Sequence, residues 1–162
     1  MENLKAALGF GGILSEEHVE KVTSHFQSRE LNVGEYFSEM GNVAHEIGFI
    51  DSGIIRTYTM NEMGEEVTRY FFRKNQFIVD LQSYYNFEPS SYPYQAVIKS
   101  RVYYIKRPQW ELLTKNIPSL FTLTKSISES LLLNKLKNND FLSFGTAKDK
   151  YEAFMKRHPD FA

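Results

Sequence analysis

Apolar positions change their period along this chain, and each change marks an element. Behind Ser15, the run Glu16-Glu17-His18-Val19-Glu20-Lys21-Val22 carries acids in its first turn and sets Val19, Val22 and Phe26 on one face. A serine N-cap, early acids and a 3.6-residue repeat predict a short amphipathic helix. The repeat then shortens. Gly34, Gly41, Gly48, Gly53 and Gly64 punctuate runs rich in Ile, Tyr, Phe and Thr, among them residues 46–50 and 53–59, which predict strands joined by glycine turns. Asn61-Glu62-Met63-Gly64 separates residues 54–60 from 65–72, where Val67, Arg69 and Phe71 alternate with Thr68, Tyr70 and Phe72. That pattern predicts a hairpin with a four-residue loop. Two later strands are expected at 94–99 and 101–106, and residues 80–93 form an inserted segment between strands, a common place for function.

From Pro108 the period returns to that of a helix, with Trp110, Leu112 and Leu113, and Pro118 opens a longer one. Leu120, Ile127 and Leu131 make one stripe that Thr124, Asn134 and Asn138 continue, while Leu123, Leu132 and Leu136 widen the apolar surface. A helix from 118 to 139 would be roughly 33 Å long at about 1.5 Å per residue. Gly145 interrupts the pattern, and Thr146 can cap a last helix carrying Tyr151, Phe154 and Met155. Many short strands with glycine turns point to a mainly β fold with helices, a jelly-roll-like or double-stranded β-helix roll, followed by a long C-terminal helix. The expected organisation is a roll with its N-terminal helix over 1–117, a dimerisation helix over 118–144 and a linker helix over 145–162.

Composition narrows the function. The sequence has 162 residues, 19 Lys and Arg against 20 Asp and Glu, and no cysteine. A formal charge of −1 gives no whole-chain field for nucleic acid. Without cysteine there is no disulfide, iron–sulfur ligation or thiolate zinc site. No continuous apolar run reaches the roughly 18 residues of a membrane span, and the start lacks a signal-peptide pattern, so a cytoplasmic protein without membrane contact is expected. Aromatic residues make up 15%, which suits strand packing and a pocket for a planar ligand. His18, His25, His45 and His158 are scattered, and a cupin-like metal enzyme needs clustered ligands on adjacent strands, so no metal site is assigned. Nor is there a Gly-x-Ser-x-Gly elbow or a phosphate-cradling Gly-x-x-x-x-Gly-Lys loop, and the expectation is a non-enzyme.

Leu31-Asn32-Val33-Gly34-Glu35-Tyr36-Phe37, then Gly48-Phe49-Ile50-Asp51-Ser52-Gly53, then Asn75-Gln76-Phe77-Ile78 follow one another before a pocket segment, two strands, a short helix and a long helix. In that order they resemble the cyclic-nucleotide-binding β-roll of the Crp/Fnr family of transcription regulators. The resemblance implies an effector-sensing and dimerisation domain that acts as a homodimer. It also implies DNA contact through a helix-turn-helix beyond Ala162 and RNA polymerase as a partner of the full-length form. Residues 146–154 with His158-Pro159 resemble the linker helix that precedes that module.

The resemblance places the pocket at Val79, Asp80, Leu81, Gln82, Ser83 and Tyr84 and, after the loop, at Tyr94, Gln95 and Ala96. Cyclic-AMP-binding members read roughly Gly-Glu-Leu and Arg-Ser-Ala there, the acid holding the ribose and the arginine the cyclic phosphate. Here Asp80 is one methylene shorter than Glu, and neither Tyr94 nor Gln95 can supply a guanidinium fork, which argues against cyclic nucleotide binding of the usual kind. No cofactor is assigned; the implied ligand is a small-molecule effector, with an anion accommodated only at the amides that start a short helix. A roll filled by its own tyrosines is the alternative. The expected dimer seam is Leu120, Leu123, Thr124, Ile127, Leu131, Asn134 and Asn138, against the alternative that this stripe packs on its own roll. A stand-alone ligand-binding or protein-interaction module, and less so a cupin-like enzyme, remain the competing functions.

Overall fold

The computed structural model describes residues 1–139, with side chains described through Asn134; the linker helix expected over 145–162 lies outside the described residues. The chain opens with α1 (Glu2–Leu8), a 3-10 turn (Phe10–Gly12) and α2 (Glu16–Thr23). No periodicity announced α1, which turns only Leu4 and Leu8 inward. Ser15 caps α2 as expected, its hydroxyl accepting the His18 N–H at 3.2 Å. The helix ends at Thr23, so His18 lies on it and His25 beyond it.

Eight strands follow: β1 (Gln27–Leu31), β2 (Tyr36–Ser38), β3 (Glu46–Ser52), β4 (Ile55–Met60), β5 (Glu66–Phe72), β6 (Phe77–Ile78), β7 (Tyr94–Ala96) and β8 (Ser100–Lys106). Three helices complete the described chain: α3 (Leu81–Asn86), between β6 and β7, then α4 (Arg107–Asn116) and α5 (Ser119–Asn139). The strands form two antiparallel four-stranded sheets, β1-β8-β3-β6 and β2-β7-β4-β5. This is the expected jelly-roll architecture.

Crossing between the sheets explains where strands differ from the sequence pattern. β7 pairs with β2 and β4, whereas β8 pairs with β1 and β3, so the chain must change sheets over residues 97–99. The strand expected at 94–99 therefore stops at Ala96. A second crossing at Gly53 delays β4 to Ile55; Gly53 has φ 105°, and a Cβ there would collide with Ser100. The β4–β5 hairpin forms as predicted, its turn held by Asn61 Oδ1, which accepts the N–H groups of Met63 at 2.9 Å and Glu65 at 2.8 Å.

Two apolar clusters hold the molecule. One lies between the sheets and includes Phe37, Ile50, Ile55, Tyr70, Phe72, Ile78, Tyr94 and Val102. The other lies between the outer face of the first sheet and the helices, joining Ile47, Phe49, Tyr103 and Ile105 to Leu4, Leu8, Val22, Phe26, Trp110, Leu113, Leu120 and Leu123. β3 and β8 are thus apolar on both faces: Ile47 and Phe49 meet helices, Ile50 meets the other sheet. A strand covered on both sides reads as a continuous apolar run rather than an alternating one.

Candidate effector pocket

At the β5 edge of the second sheet, α3 and α5 come together over a cavity of about 320 Å³. Thr57 contributes from β4, Arg69, Tyr70 and Phe72 from β5, and Tyr94 from β7. Val79, Asp80, Leu81 and Gln82 form the side where the chain enters α3, Tyr92 comes from the loop before β7, and Leu131 and Leu132 descend from α5. The volume falls at the lower end of the range typical of small-molecule sites, about 300–1,000 Å³. Among the described residues no group of three or more His, Asp or Glu is placed to hold a metal ion. No described helix is long and apolar enough to cross a membrane.

Five of the nine expected pocket residues, Val79, Asp80, Leu81, Gln82 and Tyr94, line this cavity; the other four do not. Ser83 is buried behind α3, accepting the Ala44 N–H at 2.7 Å and donating to the Glu88 carbonyl. Tyr84 belongs to the helix-side cluster, with the Arg107 guanidinium 4.5 Å from its ring centre, and burial pushes its hydroxyl up to about 12. Gln95 accepts from Arg56 Nε at 3.0 Å and Nη2 at 2.8 Å and donates to the Gly34 carbonyl at 3.1 Å. Ala96 is buried between the sheets. Alternation along β7 separates Gln95 from Tyr94, and a two-residue step, about 200° around the helix axis, turns Ser83 and Tyr84 away from the side of Leu81 and Gln82.

Asp80 and Tyr94 define the chemistry of the inner wall. Asp80 Oδ1 caps α3 by accepting the Ser83 N–H at 3.1 Å, and Oδ2 accepts from the Ser90 hydroxyl. One amide at the start of α3, that of Ser83, is thus satisfied by the chain's own carboxylate, which also sets a negative charge beside the place expected for an anion. Tyr94 is fully enclosed, and burial, with Asp80 adding to it, raises its hydroxyl far above the ordinary tyrosine value. It stays a neutral donor, at 3.5 Å from the Val79 carbonyl. Val79, Asp80 and Tyr94 also border a smaller cavity of about 140 Å³ on their other side, so together they form a partition.

The sequence pattern did not single out Thr57, Arg69, Tyr70, Phe72, Tyr92 or Leu132. Alternation along β5 gave a weak signal for Tyr70 and Phe72. Arg69 has the opposite parity, but the β4–β5 register shifts at this point, Thr57 facing Tyr70 and Tyr58 facing Thr68, so Arg69 is the extra residue of a bulge on an edge strand and simple alternation does not hold there.

The stripe on α5 is largely turned inward. Leu120 and Leu123 are buried in the helix-side core, Ile127 packs against it, and Leu131 packs against the inter-sheet cluster. Thr124 accepts the Trp110 indole N–H at 3.1 Å and donates to the Leu120 carbonyl at 2.7 Å. Asn134 borders a groove between α1 and α5, and the side chain of Asn138 lies outside the described residues. Among the described residues, the large apolar side chains that α5 leaves exposed are Phe121, Leu132 and Leu133. The alternative of packing on the chain's own roll therefore accounts for most of the predicted seam.

No family model matches the chain. No curated protein matches it either. Solved structures do. The catabolite activator protein of Thermus thermophilus superimposes with a TM-score of 0.67 at 20% identity, covering 85% of this chain and 63% of that one. The sensor domain of the transcriptional regulator DNR from Pseudomonas aeruginosa gives 0.64 at 17% identity, covering 80% and 87%. The regulatory subunit of a cAMP-independent protein kinase A from Trypanosoma brucei gives 0.62 at 15% identity, covering 77% and 46%. The chain thus spans less than two thirds of the catabolite activator protein it resembles. At these identities the likeness establishes the fold, a cyclic-nucleotide-binding-domain-like roll, and the expected architecture holds.

Proposed function

We propose that this chain is the effector-sensing and dimerisation domain of a DNA-binding transcription regulator, and that its effector is not cyclic AMP. The observation that carries the reading is the cavity closed by Leu131 and Leu132, because the helix that would join two copies also forms a wall of the pocket. An occupant touching both β5 and α5 has a direct means of shifting α5, and a ligand changes an equilibrium only through such differential contacts. Two of the solved neighbours are a catabolite activator protein and a sensor domain of a transcriptional regulator, which supports the regulatory role. A third is described as cAMP-independent, so the same roll occurs in a regulatory protein without that dependence.

The second copy is expected on the side of α5 that its own roll leaves open. Phe121, Lys125, Ser128 and Leu132 follow one another at intervals of four, three and four, a spacing that keeps one face toward a partner helix. Exposed Leu133 lies beside it. Neither a recognition helix nor a basic surface was identified in this sequence, so the 162-residue chain alone should bind DNA weakly and without sequence preference.

Ligand-induced change at Trp110, the one tryptophan of the sequence, tests the sensing role because its indole is bonded to α5. A metabolite that fills the cavity should raise the melting temperature and alter Trp110 emission together. Stabilisation by compounds whose binding survives a Leu131→Trp substitution would place the site elsewhere and overturn the reading.

A further inference from the structure

We infer that the pocket takes a small organic monocarboxylate with a planar apolar body, its carboxylate held by Arg69. This rests on the reading of the cavity as the effector site and names the class of effector.

Charge comes first. Among the described residues lining the cavity, Arg69 is the one cation and Asp80 the one acid. They do not satisfy each other: both Asp80 oxygens are engaged, one by the Ser83 N–H and the other by the Ser90 hydroxyl. Arg69 itself makes no hydrogen bond or ion pair among the described residues, although it is half-buried. The other arginines of the second sheet and of the first β-strand show the contrast. Arg56 is held by Glu66, Gln95 and Thr68, and Arg29 makes a two-pronged pair with Glu46. An unpaired guanidinium beside a cavity is a ready fork for a planar anion.

Charge number then selects among anions. A carboxylate brings one negative charge to one guanidinium. A phosphate monoester near neutral pH brings almost two, and here it would meet one described cation and the carboxylate of Asp80, which already takes the Ser83 N–H of α3. The rest of the wall selects the body. Tyr70, Phe72, Tyr92 and Tyr94 supply aromatic surface, and Leu131 and Leu132 close it, so the side of the ligand away from Arg69 is apolar and flat.

Titration calorimetry on the full chain with 3-phenylpropanoate, its uncharged amide 3-phenylpropanamide and 2-phenylethyl phosphate separates the possibilities. We expect the acid to bind at least roughly tenfold more tightly than the amide, the loss typical of one charge-assisted bond. Arg69→Gln should weaken the acid far more than the amide and so remove that advantage, and Arg69→Lys should recover part of it. Equal binding of acid and amide, or acid binding indifferent to Arg69→Gln, would overturn the carboxylate assignment and leave the cavity standing as an effector site. Tighter binding of the phosphate than of the acid would overturn it in the same way. Failure of all three probes at millimolar concentration would overturn both this inference and the effector-site reading.

Discussion

Trp110 donates its indole N–H to the hydroxyl of Thr124 at 3.1 Å, and this bond joins α4 to α5 beneath the pocket-bearing half of the long helix. Trp110 is buried, with its ring edge-on to Phe26 at 6.3 Å between centroids. Thr124→Val keeps the shape and removes the acceptor, leaving a buried donor unsatisfied. The expected cost is about 1–3 kcal/mol, read as a lower midpoint in urea unfolding followed by Trp110 emission. An unchanged midpoint would mean that the bond contributes nothing to seating α5.

Opposite faces of α5 should respond differently to a charge. Leu133 is 62% exposed, whereas Ile127 packs against the helix-side core. Leu133→Glu is expected to convert a dimer to a monomer in light scattering with little change in the melting temperature of the roll. Ile127→Glu should instead lower the melting temperature, because a carboxylate would be forced among apolar side chains. The reverse pattern would return the dimer seam to the inward stripe.

Cyclic nucleotides should bind poorly. The resemblance would set Tyr94 at the place of the phosphate-binding arginine, and Tyr94 is enclosed in the inter-sheet cluster while its neighbour Gln95 is bonded to Arg56. Loss of one charge-assisted bond, about 1.5–3 kcal/mol, weakens affinity by roughly ten- to a hundredfold. Calorimetry with cyclic AMP and cyclic GMP should detect no binding at micromolar concentration. A Tyr94→Arg, Asp80→Glu double variant provides the comparison. Micromolar affinity in the unmodified chain would contradict this account of the wall.

Gly48→Ala should be among the costliest single substitutions in the roll. A Cβ at Gly48 would stand 2.7 Å from both the Ile78 side chain and the Phe37 ring, between two sheets already in contact. Overpacking of this kind costs about 1–3 kcal/mol, and a thermal melt should show it. Gly34→Ala is the contrast, with backbone strain and no crowding: its φ is positive, 87°, whereas nothing lies within 4 Å of the added methyl.

Alkaline pH should destabilise the fold through its buried phenols. Burial raises the Tyr84 hydroxyl to about 12 and holds Tyr94 higher still, whereas both titrate near 10 in an unfolded chain. The stability they contribute is complete below pH 10 and is lost as pH rises through the folded value, by up to about 1.4 kcal/mol per pH unit for each group held neutral. Tyr84→Phe should flatten the slope of urea midpoint against pH above 10. An unchanged slope would show that Tyr84 ionises without opening the core.

What the sequence determined by itself was everything local. Ser15 as a cap, the turn at Asn61, Pro108 in the first turn of α4 and the two apolar periods are decided within a few residues, and they marked most of the elements and their order, though not α1. The inserted segment was legible too, and a third of the pocket wall with it, because Val79 through Gln82 are consecutive at the entry to α3. Tertiary structure alone decided which side of each element faces what. Strands stop where the chain changes sheets, and α1 exists because Leu4 and Leu8 reach the helix-side core. The leucine stripe of α5 pointed to a partner or to its own roll equally well, since both surfaces are apolar. Only the approach of α4 and β5 turned it inward and left Phe121 and Leu133 exposed. Arg69 came to the pocket for a similar reason: a residue's parity is local, but the edge position of β5, with α5 folded across it, is a property of the whole roll.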